Sequence, residues 1–229
     1  MRAPGPFQFL NHQSKKVMKQ RVFNLIILDA SGSMCCIRQL AVNGVNETIQ
    51  TIQYAQKSHP EQEHYVSLLT FNSSELKYVY DREEARRIEE MPERAYYPCC
   101  STPLYDAMGD ALTKLRKSVA DDDAVLVTII TDGEENCSRE YNGKAIKALV
   151  DELKRKHWLF TYIGANQDVE KVAATISINN TLAFEQSDAG TQCMFDCERS
   201  ARRRFYDRLA DGLQEATGAN YFEPEDSGR

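Results

Sequence analysis

The chain has 229 residues, 42% of them hydrophobic and 27% charged, and a formal net charge of −6. These proportions fit one ordinary globular domain and exclude a disordered chain, a collagen-like repeat and a disulfide-dense miniprotein. The acidic balance supplies no basic footprint for general nucleic-acid binding, and no apolar run approaches a bilayer span, so neither nucleic acid nor membrane is an expected partner.

Residues 1–17 carry basic side chains but no hydrophobic stretch after them, so they do not read as a secretory leader. They are assigned as an unstructured N-terminal extension, with Met18 as a second candidate start, and the expected compartment is the cytoplasm. Seven cysteines in that setting read as free thiols.

Val22 to Asp29 is a short apolar run closed by a carboxylate, and His64 to Asn72 is a second. Leu76 to Tyr80 alternates like an edge strand, Ala124 to Asp132 reads as a buried central strand, and His157 to Ile163 and Thr181 to Phe184 add two more. Between them, Pro103 to Val119 repeats apolar residues at spacings of three and four, as does the segment through Ala145, Leu149 and Leu153. Asp168 is placed to cap a short helix to Thr175, and Cys193 to Ala216 reads as one charged final helix ending at Gly218. The alternation β-α-β-β-α-β-α-β-α-β-α predicts an α/β fold: a single doubly wound, mostly parallel sheet with helices on both faces and one edge strand. The domain is placed at residues 18–222, followed by a tail over 223–229.

Three stretches then share one expected address. Asp29-Ala30-Ser31-Gly32-Ser33-Met34 closes the first strand, Thr131-Asp132-Gly133 closes the central one, and Ser101-Thr102-Pro103-Leu104 precedes a helix. In an open parallel sheet, ligands bind in the crevice outside the carboxyl ends of the strands. Asp29, Ser31, Ser33, Thr102 and Asp132 make an all-oxygen donor set, which selects Mg²⁺, Mn²⁺ or Ca²⁺ over softer metals. Gly32 is expected to permit the sharp turn between the two serines. Thr102 can also be read as a helix N-cap ahead of Pro103.

These residues make the chain resemble the von Willebrand factor A family. D-x-S-x-S, a distant Thr and a distant Asp form that family's metal-ion-dependent adhesion site. Asp132-Gly133-Glu134-Glu135-Asn136 and the stretch from Phe160 to Asp168 are similar to a bacterial and phage branch of it. The resemblance implies a Rossmann-like fold and a non-catalytic module that docks an Asp or Glu of a partner protein through the metal. Alternative readings are a Mg²⁺-dependent hydrolase, or an accessory subunit of a chelatase-like or stress-response complex. The family also suggests the final helix as a lever coupled to the metal.

The remaining polar residues have plainer expectations. Asp106 is expected to brace the metal-site loops, with Gly133 supporting them and Asp110 exposed. Glu134, Glu135 and Asn136 are read as a solvated loop or first helical turn, and Asp121 to Asp123 as an exposed loop. Cys35, Cys36, Cys99, Cys100 and Cys137 flank the site loops; semi-buried small hydrophobes are favoured over a redox or soft-metal cluster. Cys193 and Cys197 are expected to face the core. Arg199, Arg202, Arg203, Arg204 and Arg208 are read as a solvated helix face rather than an RNA-binding patch. His64 and His157, at strand starts, should not reach the crevice.

Overall fold

Six apolar runs become strands in the computed structural model, which describes residues 19–165, 168–212 and 221–223. The strands are β1 (Gln20–Asp29), β2 (Gln62–Phe71), β3 (Leu76–Glu84), β4 (Ala124–Thr131), β5 (Trp158–Ala165) and β6 (Asn180–Phe184). The helices are α1 (Arg38–Ser58), α2 (Leu104–Leu115), α3 (Gly143–Lys154), α4 (Val169–Thr175) and α5 (Asp188–Ala210). The sheet order is β3-β2-β1-β4-β5-β6. Every neighbouring pair is parallel except β2 with β3, which is antiparallel at the edge. The expected α/β class, a single doubly wound sheet, is the one observed.

The four inner strands, β2, β1, β4 and β5, each feed two cores because successive side chains point to opposite faces. From β1, Val22, Ile26 and Leu28 join α1 and α5 on one side. Phe23, Leu25 and Ile27 join α2, α3 and α4 on the other. Both faces are therefore covered, and β4 and β5 are buried at every position, which is why they read as unbroken apolar runs rather than alternating ones. β1 pairs with β2 on one side and β4 on the other, and the chain winds outward in both directions from that pair. Such a switch point opens a crevice at the carboxyl ends of the two strands.

Several expectations need correction. α2 stops at Leu115 rather than Val119, because the chain turns there: Ser118 N–H donates to the Leu115 carbonyl at 2.9 Å. α5 begins at Asp188, ahead of Cys193, with the Ser187 side chain accepting from Gly190 N–H. Its buried stripe runs through Thr191, Met194, Phe195, Glu198, Ala201, Arg202, Phe205, Tyr206 and Leu209. That phase leaves Cys193 exposed and Cys197 half-buried instead of core-facing.

Arg202 is not on a solvated face. It is fully buried and donates to Glu198 at 2.7 Å, Asn24 Oδ1 at 3.0 Å, Thr128 Oγ1 at 2.8 Å and the Tyr206 hydroxyl at 3.1 Å. Asn24 and Thr128 are polar positions on β1 and β4, so the sheet itself supplies acceptors for a buried charge. Asp123 is likewise buried, paired with Arg21 at 2.6 Å and accepting from Ala120 N–H. Residues 1–17, Met18, Ala216, Gly218 and the tail beyond 223 lie outside the described residues. Among the described residues no helix is long and apolar enough to cross a membrane.

Candidate metal site

β1 delivers Asp29 as its last residue, and the chain leaves through Ala30 and Ser31 into a 3-10 turn over Gly32–Ile37. Both carboxylate oxygens of Asp29 are held. Oδ1 accepts from Ser31 N–H at 2.6 Å and Oδ2 from the Thr131 hydroxyl at 2.6 Å. The buried Tyr96 hydroxyl fixes the same residue through its carbonyl, at 2.6 Å. Ser31 Oγ lies 3.1 Å from Ser33 Oγ, and Ser33 Oγ donates to Asp132 Oδ1 at 2.6 Å. Asp132 follows the last residue of β4.

Thr102 arrives from a third direction. Its N–H donates to Asn136 Oδ1 at 3.0 Å, and Asn136 N–H donates back to its carbonyl at 3.2 Å. This reciprocal pair ties the segment before α2 to the loop after β4. The convergence is visible at Gly133. A β-carbon built there would lie 3.3 Å from Thr102 Oγ1, 3.6 Å from Ser33 Oγ and 4.0 Å from Asp29 Oδ2. Those oxygens surround one small volume, which glycine leaves clear. The structure thus brings all five sequence-predicted donors together at the β1–β4 crevice.

The electrostatics match the geometry. Burial pushes the Asp29 carboxyl up to about 6; the Thr131 and Ser31 hydrogen bonds pull the other way and the Asp132 charge adds to the rise. Asp132 is also raised, chiefly by burial, against hydrogen bonds from Ser33 and Gln186. Among the described residues, no ion pair joins either carboxylate to a Lys, Arg or His. Two buried carboxylates without a cation are costly, and the hydroxyls beside them are neutral hard donors. Such a set fits Mg²⁺, Mn²⁺ or Ca²⁺. Among the described residues no group of three or more His, Cys, Asp or Glu side chains could hold a metal, so the fit depends on the Ser and Thr hydroxyls and no thiol cluster competes with it.

The supporting residues divide. Gly32 turns without a left-handed φ; its contribution is an N–H donated to the Cys100 carbonyl at 3.0 Å. Asp106 accepts the N–H groups of Arg139, Glu140 and Tyr141 at 2.8–2.9 Å, holding the loop that follows the Asp132 segment. Asp110 is exposed. Thr102 does not cap α2. The first N–H groups of that helix go instead to Glu135, from Tyr105 at 2.9 Å, and to Ser138 Oγ, from Asp106 at 3.1 Å. Glu135 is therefore a structural acceptor, not a solvated loop residue, and Thr102 Oγ1 is left to the cradle.

Tyr96, Thr131 and Gln186 also hold the site, and none of them was singled out from the sequence. Thr131 stands inside the quoted Thr131-Asp132-Gly133 motif, so its place at a strand end beside Asp29 was a usable signal. Gln186 offered none. It lies between β6 and α5, and its side-chain amide donates to Asp132 Oδ2 and, at 3.0 Å, to the Ser33 carbonyl. Of the thiols nearby, Cys99 and Cys137 are half-buried, whereas Cys35, Cys36 and Cys100 are exposed rather than semi-buried. His64 pairs in register with Val22, at the amino end of β1, and His157 precedes β5, so both stand at the opposite end of the sheet.

No protein-family model matches the chain, and no curated protein matches it either. Solved structures do resemble it. Proximal thread matrix protein 1 from the mussel byssus is 14% identical over 78% of this chain and 45% of that one, with a TM-score of 0.55. The SpRpn10 VWA domain is 10% identical over 77% and 94%, with a TM-score of 0.53. The vWF domain of the type V pili tip protein Mfa5 from Porphyromonas gingivalis is 9% identical over 88% and 97%, with a TM-score of 0.51. The chain spans less than half the length of the first of these. At such identities the likeness is one of fold: a von Willebrand factor A-like fold.

Proposed function

We propose that this chain, built on a von Willebrand factor A-like fold, is a divalent-metal-dependent binding module that docks an Asp or Glu side chain of a partner protein. The observation that carries the reading is the convergence of Asp29 Oδ2, Ser33 Oγ and Thr102 Oγ1 around the volume that Gly133 leaves clear. Asp29, Ser31, Ser33, Thr102 and Asp132 would hold the ion. A bound Mg²⁺ or Mn²⁺ supplies a positive centre that accepts an external carboxylate.

The chain's own residues prepare that event. Ser31, Ser33 and Thr102 are neutral donors, so a cation held largely by them keeps charge for an outside ligand. Thr131 and the Ser31 amide keep Asp29 oriented, while the Thr102–Asn136 pair fixes the third wall. Ser33 is exposed, which leaves the cradle reachable from solvent. The reading is a non-catalytic one, and it is supported by His64 and His157 standing at the far end of the sheet from the cradle.

Calorimetric titration with Mn²⁺ and Mg²⁺ tests the cradle, and an array of Asp- or Glu-containing peptides with Asn or Gln twins tests the docking. Wild type should bind metal, and should bind a subset of acidic peptides that lose binding in their amide twins, with EDTA, and in Asp132→Ala. Absence of metal binding, or peptide binding indifferent to EDTA, overturns the proposal.

A further inference from the structure

Cys99 and Cys100 are adjacent in the chain, and their sulfurs lie 3.1 Å apart. Cys100 is exposed and its Sγ is 3.1 Å from Ser74 Oγ. Cys99 Sγ accepts from the Asn72 side chain at 3.5 Å, and the same amide donates to the Ala30 carbonyl at 3.2 Å. The pair is also clamped to the cradle by its backbone. Cys99 N–H donates to the Ala30 carbonyl at 2.9 Å, and the Cys100 carbonyl accepts from Gly32 N–H at 3.0 Å. Thr102 follows two residues later. Cys100 has a φ of 67°, a left-handed conformation unfavourable for a residue with a β-carbon. These contacts, rather than local preference, hold the loop.

We propose that Cys99 and Cys100 are a reversible two-electron modification site, a vicinal dithiol that a hydroperoxide converts to a disulfide, and that closing this ring loosens the metal cradle. The effect on metal rests on the function proposed above; the dithiol chemistry does not. One sulfur takes a hydroxyl from hydrogen peroxide: the O–O bond breaks, an S–O bond forms and water leaves with the thiol proton. The second sulfur then attacks the first, an S–S bond forms, the S–O bond breaks, and the oxygen departs as a second water with the remaining thiol proton. Two thiols are oxidised by two electrons in all and one peroxide is reduced to two waters.

The coupling follows from chain geometry. Closing the bond draws the sulfurs from 3.1 Å to about 2.05 Å. Adjacent Cα atoms are about 3.8 Å apart, closer than the roughly 4.4 Å lower bound of ordinary disulfides. The intervening peptide must therefore twist. Its neighbours are the two groups bonded to the cradle turn, Cys99 N–H and the Cys100 carbonyl, so the twist pulls on Ala30 and Gly32 and displaces Thr102 against Ser33 and Asp29.

The test treats the full chain with stoichiometric hydrogen peroxide and follows three readouts. Peptide mass mapping should show the loss of two hydrogens within the peptide holding Cys99 and Cys100, reversed by dithiothreitol. In metal-free protein, exchange of the Gly32 amide should accelerate by about tenfold or more. Mn²⁺ affinity by calorimetry should fall about tenfold. Cys99→Ser and Cys100→Ser should each abolish the response, and Cys193→Ser should leave it intact. A cross-link to Cys35 instead, overoxidation without a disulfide, or a disulfide that leaves Gly32 exchange unchanged overturns the inference. If the reduced protein binds no Mn²⁺, the proposed function fails, while the mass and exchange readouts still decide the dithiol.

Discussion

Asp29 has both oxygens hydrogen-bonded, yet its carboxyl sits at about 6 because burial outweighs those bonds. The folded value lies above the ordinary 3.8, so between roughly pH 4 and 6 the native state binds more protons than the unfolded chain. Stability from this group is present below pH 4 and is lost as pH rises through 6, leaving the metal-free fold with a burden of up to about 3 kcal/mol at neutral pH. Asp29→Asn should therefore stabilise the protein in EDTA at pH 7 by about 1–3 kcal/mol and lose that advantage at pH 4. Urea unfolding of both proteins across that range checks the sign. Gly133→Ala acts at the same scale. Its methyl would sit 3.3 Å from Thr102 Oγ1 with no left-handed φ to strain, so Mn²⁺ affinity should drop by about tenfold or more with the thermal midpoint in EDTA little changed.

Among the elements, α5 is held by a buried ion pair as well as by apolar contact. Arg202 and Glu198, both buried, join it to β1 through Asn24 and to β4 through Thr128; Thr48 of α1 donates to Glu198 at 3.4 Å. Arg202→Met leaves the Glu198 carboxylate buried without its cation and should cost about 3–5 kcal/mol, whereas Arg202→Met with Glu198→Leu should recover most of the loss. Chemical denaturation of the single and double variants measures this. The network also bears on the lever role suggested for the final helix, because sliding α5 along the sheet would break directional bonds rather than exchange one apolar contact for another. α2 shows the same dependence on distant side chains. Its first N–H groups are satisfied by Glu135 and Ser138, so the helix start and the loop after β4 form one unit.

At the scale of the whole molecule, the proposed metal site is where three separate chain segments meet, and its occupation should be felt globally. A cation bound only by the folded state, at a hundred times its dissociation constant, adds about 2.7 kcal/mol. For a domain of this size that corresponds to a rise in thermal midpoint of about 5–10 °C. Scanning calorimetry with Mn²⁺ should show this rise for wild type and none for Asp132→Ala. The unbroken apolar runs that became β4 and β5, the three-and-four spacing of α2 and α3, and the carboxylate closing β1 were legible in the amino-acid sequence because each is a local pattern read by a local period. That Asp29, Ser31, Ser33, Thr102 and Asp132 would gather was legible because the strand ends of a doubly wound sheet, and the helix start beside them, converge on one crevice. Arg202, Asp123, Glu135 and Gln186 were not, since a polar side chain looks the same in sequence whether water or a distant acceptor satisfies it. The packing of α5 over Asn24 and Thr128, the placing of Arg21 of β1 beside Asp123, the docking of the first turn of α2 on Glu135, and the folding of the β6–α5 loop across Asp132 supplied those partners; a hydrogen bond between residues far apart in the chain comes into being with the tertiary structure.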